Sequence, residues 1–144
     1  MIKSSKKAPY PRILLADDNK EMRNAIIRQI EGEYFVVQAV GNGRALVDAA
    51  MELLPDIGVV DISMPVMNGL EAVSEIKNRG LGMKIVFLTV NEDPDFVRAA
   101  FDTGATGYVV KRQMASDLLT ALDAVMNGGR FLSSCCKFEG ESDV

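Results

Sequence analysis

The stretch Ile57-Gly58-Val59-Val60 is a short, continuous apolar run, and it ends at a single acidic residue, Asp61. A run of this length that does not alternate with polar residues is typical of a strand buried on both faces of a parallel sheet. Similar runs, most of them continuous and rich in β-branched residues, occupy residues 13–16, 35–37, 85–88 and 108–110. The sequence therefore predicts five strands.

Segments with a helical period separate these runs. Apolar residues recur on one helical face within residues 22–30, 46–54, 70–76, 96–101 and 118–125. Asn19 is a favourable N-cap for the first segment, and Asp93-Pro94 is a typical start for the fourth. Because each strand is followed by a helix, we expect helices on both faces of the sheet. The predicted fold is an α/β, flavodoxin-like, doubly wound five-stranded parallel sheet with strand order 2-1-3-4-5 and five helices.

Length and composition fit one folded domain. The chain has 144 residues, of which 48% are hydrophobic, so it can bury a substantial core. Its net charge of -4 argues against general binding of nucleic acid or anionic membranes by this chain. No apolar run is long enough to span a bilayer, and we expect a cytoplasmic location. We predict a flexible basic arm at residues 1–11, the domain at residues 12–132 and a flexible tail at residues 133–144.

The absence of histidine and the small number of cysteines limit the kinds of catalysis and metal binding that this chain can support. The chain has no histidine, which excludes Ser-His-Asp and Cys-His catalysis and most transition-metal sites. Its two cysteines, Cys135 and Cys136, are adjacent, and we expect reduced thiols rather than a disulfide or a zinc site. Any chemistry therefore depends on carboxylates, hydroxyls, lysine and a hard cation.

Polar side chains follow the predicted strands at one edge of the sheet. They are Asp17, Asp18, Asp61, Thr89 and Lys111. Ligands bind at the carboxyl ends of the strands in open α/β sheets, so we expect these side chains to converge there. Each of them alone would be an ordinary cap, turn or surface residue, and their coincidence at successive strand ends is what indicates a site. Three carboxylates beside one lysine suit Mg²⁺, which prefers oxygen ligands.

The chemistry favoured by this set is phosphoryl transfer, which depends mainly on positioning and charge neutralisation. Asp61 is the candidate nucleophile, because carboxylates can form acyl phosphates. Lys111, Thr89 and the cation would neutralise charge on the equatorial oxygens of the phosphoryl group.

The motifs of the chain resemble those of the CheY-like receiver domains of two-component response regulators. They are Ile13-Leu14-Leu15-Ala16-Asp17-Asp18, Asp61-Ile62-Ser63-Met64-Pro65-Val66-Met67-Asn68-Gly69-Leu70-Glu71, Phe87-Leu88-Thr89 and Gly104-Ala105-Thr106-Gly107-Tyr108-Val109-Val110-Lys111. The resemblance covers residues 12–132, and residues 128–133 are similar to the end of receivers that continue into a helix-turn-helix DNA-binding domain. No such domain follows in this sequence, so we expect either a stand-alone receiver or one separated from its effector.

The resemblance implies a role for each residue of the site. Asp61 is the phosphoacceptor. Asp18, Asp61 and the backbone carbonyl of Ser63 bind Mg²⁺, and Asp17 acts through water. Thr89 is the switch hydroxyl that moves toward the phosphoryl group.

The resemblance also implies an output surface and partners. Tyr108 is the aromatic residue that turns inward as Thr89 moves, and the surface of the fourth helix, fifth strand and fifth helix changes with it. The phosphoryl donor is a sensor histidine kinase or a histidine phosphotransfer protein, and a homodimer on phosphorylation is compatible with the pattern. Such a chain is a self-catalysed phosphoacceptor with slow autodephosphorylation rather than an enzyme. The residues expected to face the kinase are Lys20, Arg23, Asn24 and Ile27.

Two positions depart from the usual receiver pattern. The residue after Thr89 is often small, but here it is Val90. We expect Val90 to hinder attack by water and so to lengthen the lifetime of the phosphoryl group. Arg112 follows Lys111 where many receivers have proline.

Three alternatives stay open from the sequence. A nucleotide-binding domain would use Gly41-Asn42-Gly43, but the third glycine of that motif is replaced by Leu46. An aspartate-based phosphatase would need an acidic residue at position 63, which is Ser63. A degenerate receiver would act as a phosphorylation-independent binding module, although its acidic set is complete here.

Overall fold

Strands and helices alternate along the chain. The computed structural model describes residues 10–136, and within them the chain forms six strands and five α-helices. The strands are β1 (Arg12–Ala16), β2 (Phe35–Val40), β3 (Ile57–Val60), β4 (Lys84–Thr89), β5 (Gly107–Val110) and β6 (Phe131–Leu132). The helices are α1 (Lys20–Ile30), α2 (Gly43–Leu53), α3 (Gly69–Asn78), α4 (Pro94–Asp102) and α5 (Met114–Met126). None of the helices in this part of the chain is both long and apolar enough to cross a membrane.

The strands form one parallel sheet in the order β2-β1-β3-β4-β5-β6. The predicted fold class and the order 2-1-3-4-5 are confirmed, and β6 extends the sheet beyond β5. In this added pair Gly107 lies opposite Phe131, and Tyr108 lies opposite Leu132. A strand of two residues is too short for a sequence pattern to reveal, which is why we expected only five strands.

The sheet carries a hydrophobic core on each face. Along β1, Leu14 and Ala16 pack with α2 and α3, whereas Ile13 and Leu15 pack with α1 and α5. β3 and β5 are buried along their whole length, as their continuous apolar sequences indicate. β2 is different because it lies at an edge of the sheet, and its Phe35 side chain is 56% exposed.

Side-chain caps fix where the helices begin. The Asn19 Oδ1 atom accepts a hydrogen bond from the Met22 N–H at 2.8 Å, so the predicted cap of α1 is confirmed. Asn42 caps α2 in the same way, which gives the Gly41-Asn42-Gly43 stretch a structural role. A Cβ atom on Gly43 would lie 2.0 Å from the carbonyl oxygen of Met67, so the glycine allows α2 to approach the loop after β3.

The structure differs from the predicted flexible tail at residues 133–144. Ser133 and Cys136 are buried, and Ser134–Cys136 form a 3₁₀ turn. The Ser133 N–H donates to the carbonyl oxygen of Tyr108 at 3.0 Å, which anchors the segment to β5. The folded domain therefore extends at least to Cys136. Residues 1–9 of the predicted arm and residues 137–144 of the predicted tail lie outside the described residues.

Candidate functional site

The residues predicted to form the site lie at the carboxyl edge of the sheet. Asp17 and Asp18 follow β1, Asp61 follows β3, Thr89 ends β4, and Lys111 follows β5. β1 and β3 are neighbours, and the Asp61 N–H donates to the carbonyl oxygen of Ala16 at 2.9 Å. Thr89 lies opposite Val110, the residue before Lys111. The sheet order thus brings together side chains that are far apart in the sequence.

Lys111 joins the two buried carboxylates of the site. Its Nζ atom lies 2.7 Å from Oδ2 of Asp17 and 3.0 Å from Oδ2 of Asp61. Burial alone would lower the pKa of Lys111, but its hydrogen bonds to these carboxylates raise that pKa above its ordinary value. Burial raises the pKa of Asp61, although Lys111 acts in the opposite direction. One ammonium group therefore compensates the negative charge of the site only in part.

The carboxylates at the strand ends form a candidate cation site. Within residues 10–136, oxygen atoms of Asp17, Asp18 and Asp61 all lie within 4.8 Å of one another. Oδ1 of Asp61 is buried and accepts no hydrogen bond from any described residue. Such an oxygen is costly to bury, and a hard divalent cation would satisfy it. Ser63 and Asp18 line one shallow cleft beside this group, so the expected ligands are adjacent.

The backbone of Asp61 packs against the start of α3. A Cβ atom on Gly69 would lie 2.0 Å from the Asp61 carbonyl oxygen, so this close approach requires glycine. The Gly69 N–H donates to the carbonyl oxygen of Ile62 at 2.8 Å. Asn68 and Glu71 form a capping box that fixes the first turn of α3. The backbone at Asp61 is therefore supported by a rigid helix rather than by a loose loop.

Thr89 and Tyr108 are connected through Asn91. The Oγ1 atom of Thr89, which is buried, accepts hydrogen bonds from Nδ2 of Asn91 at 3.1 Å and from the Asn91 N–H at 3.3 Å. The hydroxyl of Tyr108 donates to the Asn91 carbonyl oxygen at 2.8 Å. The ring of Tyr108 is fully buried, so it occupies an inward position. The sequence did not indicate Asn91, because a polar residue in a loop carries no sign of such contacts.

The loop after β4 is also tied to the segment after β5. The guanidinium of Arg112 makes two hydrogen bonds with the carboxylate of Glu92, at 2.6 and 3.0 Å. This pair was missed in the sequence, since the two residues belong to separate loops. The neighbouring Val90 side chain is 66% exposed, so it lies at the surface of the same loop.

The predicted kinase-facing residues lie along α1. Lys20 and Asn24 are exposed, whereas Arg23 and Ile27 are partly buried. Nη1 of Arg23 donates to the backbone oxygen of Asp17 at 2.8 Å, so this side chain also supports the site.

The chain is similar to known proteins both as a member of a family and in comparison with individual chains. A family model described as the response regulator receiver domain matches residues 13–123. The transcriptional regulatory protein DegU of Brevibacillus brevis is 31% identical over 123 residues, which are 84% of this chain and 52% of DegU. The chain therefore spans about half the length of that curated relative. The chemotaxis protein CheY of Halobacterium salinarum is 32% identical over 115 residues, which are 80% of this chain and 96% of that protein.

A solved structure supports the same grouping. A two-component response regulator of the LuxR family from Aurantimonas has a TM-score of 0.84 and 31% sequence identity. The match covers 88% of this chain and 92% of that one.

Proposed function

The chain belongs to the response regulator receiver domain family, and we propose that its Asp61 accepts a phosphoryl group in a Mg²⁺-dependent reaction. The observation that carries this proposal is the geometry around Asp61. Its Oδ2 atom is paired with Lys111, while its buried Oδ1 atom accepts no hydrogen bond from the described residues. One oxygen is therefore held in place, and the other is available to react or to bind a cation.

The reaction requires an incoming phosphoryl donor. A bond forms between phosphorus and a carboxylate oxygen of Asp61, and the bond from phosphorus to the donor breaks. When the donor is a phosphohistidine, the imidazole leaves with the electron pair and takes up a proton. Lys111 and the hydroxyl of Thr89 would stabilise negative charge on the phosphoryl oxygens.

The donor set at the strand ends fits Mg²⁺. Asp18, Asp61 and the backbone carbonyl of Ser63 would hold the ion, and Asp17 would act through water. Bound Mg²⁺ supplies charge neutralisation for phosphoryl transfer. The chain itself orients Asp61 through Lys111 and through the start of α3.

The proposed output is a change in the surface of α4, β5 and α5. Thr89 would turn toward the phosphoryl group, and Tyr108 would stabilise the resulting arrangement from the core side. The phosphoryl donor would be a sensor histidine kinase or a phosphotransfer protein that contacts α1. Since DegU is a transcriptional regulatory protein, we propose a transcriptional output where a DNA-binding domain is present in the full protein. We place this activity in the cytoplasm.

The central test is chemical labelling. The chain is incubated with acetyl phosphate and Mg²⁺, and intact-mass spectrometry measures the added phosphoryl group. We expect single, acid-labile and base-labile incorporation that is lost in Asp61→Asn and after chelation of Mg²⁺. Asp48→Asn is the matched control, because Asp48 is an exposed carboxylate on α2. Absence of incorporation into the folded wild type would favour the alternative, a degenerate receiver that binds partners without phosphorylation.

Val90 provides a test of the phosphoryl lifetime. Its side chain lies next to Thr89, where it would restrict the approach of water to a phosphoryl group on Asp61. We expect Val90→Ala to lose the phosphoryl group faster than the wild type in a dephosphorylation time course. An equal or slower loss in the variant contradicts this expectation.

A further inference from the structure

The segment after α5 is built into the edge of the sheet. Residues 130–136, the C-terminal strap, run along β5, and the Phe131 N–H donates to the Thr106 carbonyl oxygen at 2.9 Å. Oγ of the fully buried Ser133 accepts from the Val110 N–H at 3.2 Å and donates to Oδ2 of Asp117 at 2.8 Å. These bonds use both hydrogen-bonding functions of a buried hydroxyl, so they fix the register of the strap.

The strap encloses the ring of Tyr108. Cys136 is 2% exposed and belongs to the same hydrophobic cluster as Tyr108. On another side, the Phe101 ring lies 6.4 Å from the Tyr108 ring, centre to centre. The guanidinium of Arg130, the first residue of the strap, lies 4.4 Å from the centre of the Phe101 ring, a cation–π distance. Cys136 and Leu132 of the strap therefore pack in the same cluster as the Tyr108 ring.

The strap also contacts the loop that follows β4. Glu92 pairs with Arg112, and after Arg112 the nearby thiol of Cys135 also lowers the pKa of this carboxyl, so the strap lies beside Glu92. Glu92 directly follows Asn91, which holds both the Thr89 hydroxyl and the Tyr108 hydroxyl. A continuous set of contacts thus runs from Thr89 through this loop to the strap.

We propose that the C-terminal strap responds to phosphorylation of Asp61 and that it then loosens from β5 and Glu92. The proposal rests on the proposed function. If Thr89 shifts toward a phosphoryl group on Asp61, its bonds to Asn91 must lengthen or break, since the same oxygen makes both sets of contacts. The loop that carries Glu92 then moves, and the strap loses its anchor there. Because such coupling is reciprocal for binding, a detached strap also changes the affinity of the chain for beryllofluoride.

The test uses the buried thiol of the strap as a reporter. Cys135→Ser keeps a small polar group beside Glu92 and leaves Cys136 as the single thiol of the chain. Burial raises the pKa of Cys136 to about 12, so its reaction with a maleimide at neutral pH is slow while the strap is docked. We expect beryllofluoride with Mg²⁺, compared with Mg²⁺ alone, to raise the labelling rate by at least about fivefold.

Fluorine NMR shows whether beryllofluoride is bound, so it distinguishes a failure of the coupling proposal from a failure of the proposed function. If the mimic binds and labelling is unchanged or slower, the coupling proposal is wrong. If the mimic does not bind to the folded chain, the proposed function fails, and the coupling proposal fails with it.

A second variant tests the contact path without any phosphoryl mimic. Glu92→Ala in the Cys135→Ser background removes the anchor of the strap on the loop, and we expect faster labelling of Cys136. Asp48→Ala is the control, because it removes an exposed carboxylate on α2 and should leave the rate unchanged. Urea unfolding of the same proteins shows whether the opening is local. Equal labelling in Glu92→Ala and in its parent contradicts the proposed path.

Discussion

Asp61 keeps its carboxylate in a buried position, and burial raises the pKa of that group above its ordinary value. An acid with a raised pKa binds its proton more tightly in the folded than in the unfolded protein. At pH values above the pKa of Asp61 in the folded protein, the ionised carboxylate therefore lowers the free energy of unfolding. This destabilisation disappears as the pH falls below the pKa that Asp61 has in the unfolded chain. We predict that Asp61→Asn is more stable than the wild type near neutral pH in Mg²⁺-free buffer.

Urea unfolding at several pH values measures this difference. The advantage of Asp61→Asn should shrink as the pH is lowered toward the ordinary pKa of an aspartate, and it should also shrink when Mg²⁺ is added to the wild type. Asp48→Asn should show little difference at any pH. A variant that is less stable than the wild type at neutral pH would show that Lys111 compensates the charge of Asp61 completely.

The backbone of Val66 adopts a strained conformation. Its φ angle is 71°, and the Met67 N–H donates to the Pro65 carbonyl oxygen at 2.7 Å, so Val66 is the centre of a γ-turn. A β-branched residue is strained in this conformation, whereas glycine is not. The Val66 side chain is 81% exposed, so it contributes little packing.

We predict that Val66→Gly raises the free energy of unfolding by about 1 kcal/mol, since relief of strain exceeds the added entropy of the unfolded chain. Denaturant unfolding measures the effect. Val90→Gly is the matched control, because Val90 is also exposed and has no positive φ. The control should be destabilised, and a similar loss in Val66→Gly contradicts the prediction.

At the scale of elements, the start of α3 packs closely against the backbone of Asp61. We predict that Gly69→Ala lowers the free energy of unfolding by about 2 kcal/mol or more, because its Cβ would overlap the Asp61 carbonyl oxygen. It should also slow labelling of Asp61 by acetyl phosphate. Gly82→Ala is the control, since a Cβ there meets nothing within 4 Å. Equal stability of the two variants would mean that α3 can shift without cost.

The elements differ in how far the sequence could predict them. The β3 run and the caps at Asn19 and Asp93 were visible, because apolar periodicity and capping are local properties. β6 was not visible, since Phe131–Leu132 is a strand only through its bonds to β5. The residues expected at the strand ends share one edge because strands that alternate with helices run parallel, so their carboxyl ends lie together. Asn91 and the Glu92–Arg112 pair depend on how separate loops meet, and a sequence pattern does not contain that information.

At the scale of the whole molecule, the proposed switch should change how copies of the chain associate. We predict a monomer with Mg²⁺ alone and a homodimer with Mg²⁺ and beryllofluoride, because a displaced strap would uncover the α4, β5 and α5 surface. Light scattering coupled to size exclusion measures the mass in both states. A mass that is unchanged, in a sample with bound beryllofluoride, would show that the altered surface serves another partner.

The pairing of β6 with β5 has a consequence for the resistance of the protein to aggregation. Unpaired N–H and C=O groups on a buried, apolar strand such as β5 form a template on which another chain can add as a strand. The strap covers this template along β5, whereas β2 forms the other border of the sheet. A version of the domain that ends at Gly129 would lack β6 and also the Ser133 bonds to Tyr108 and Val110. Such a version should therefore be prone to edge-to-edge aggregation even when its phosphorylation site is intact.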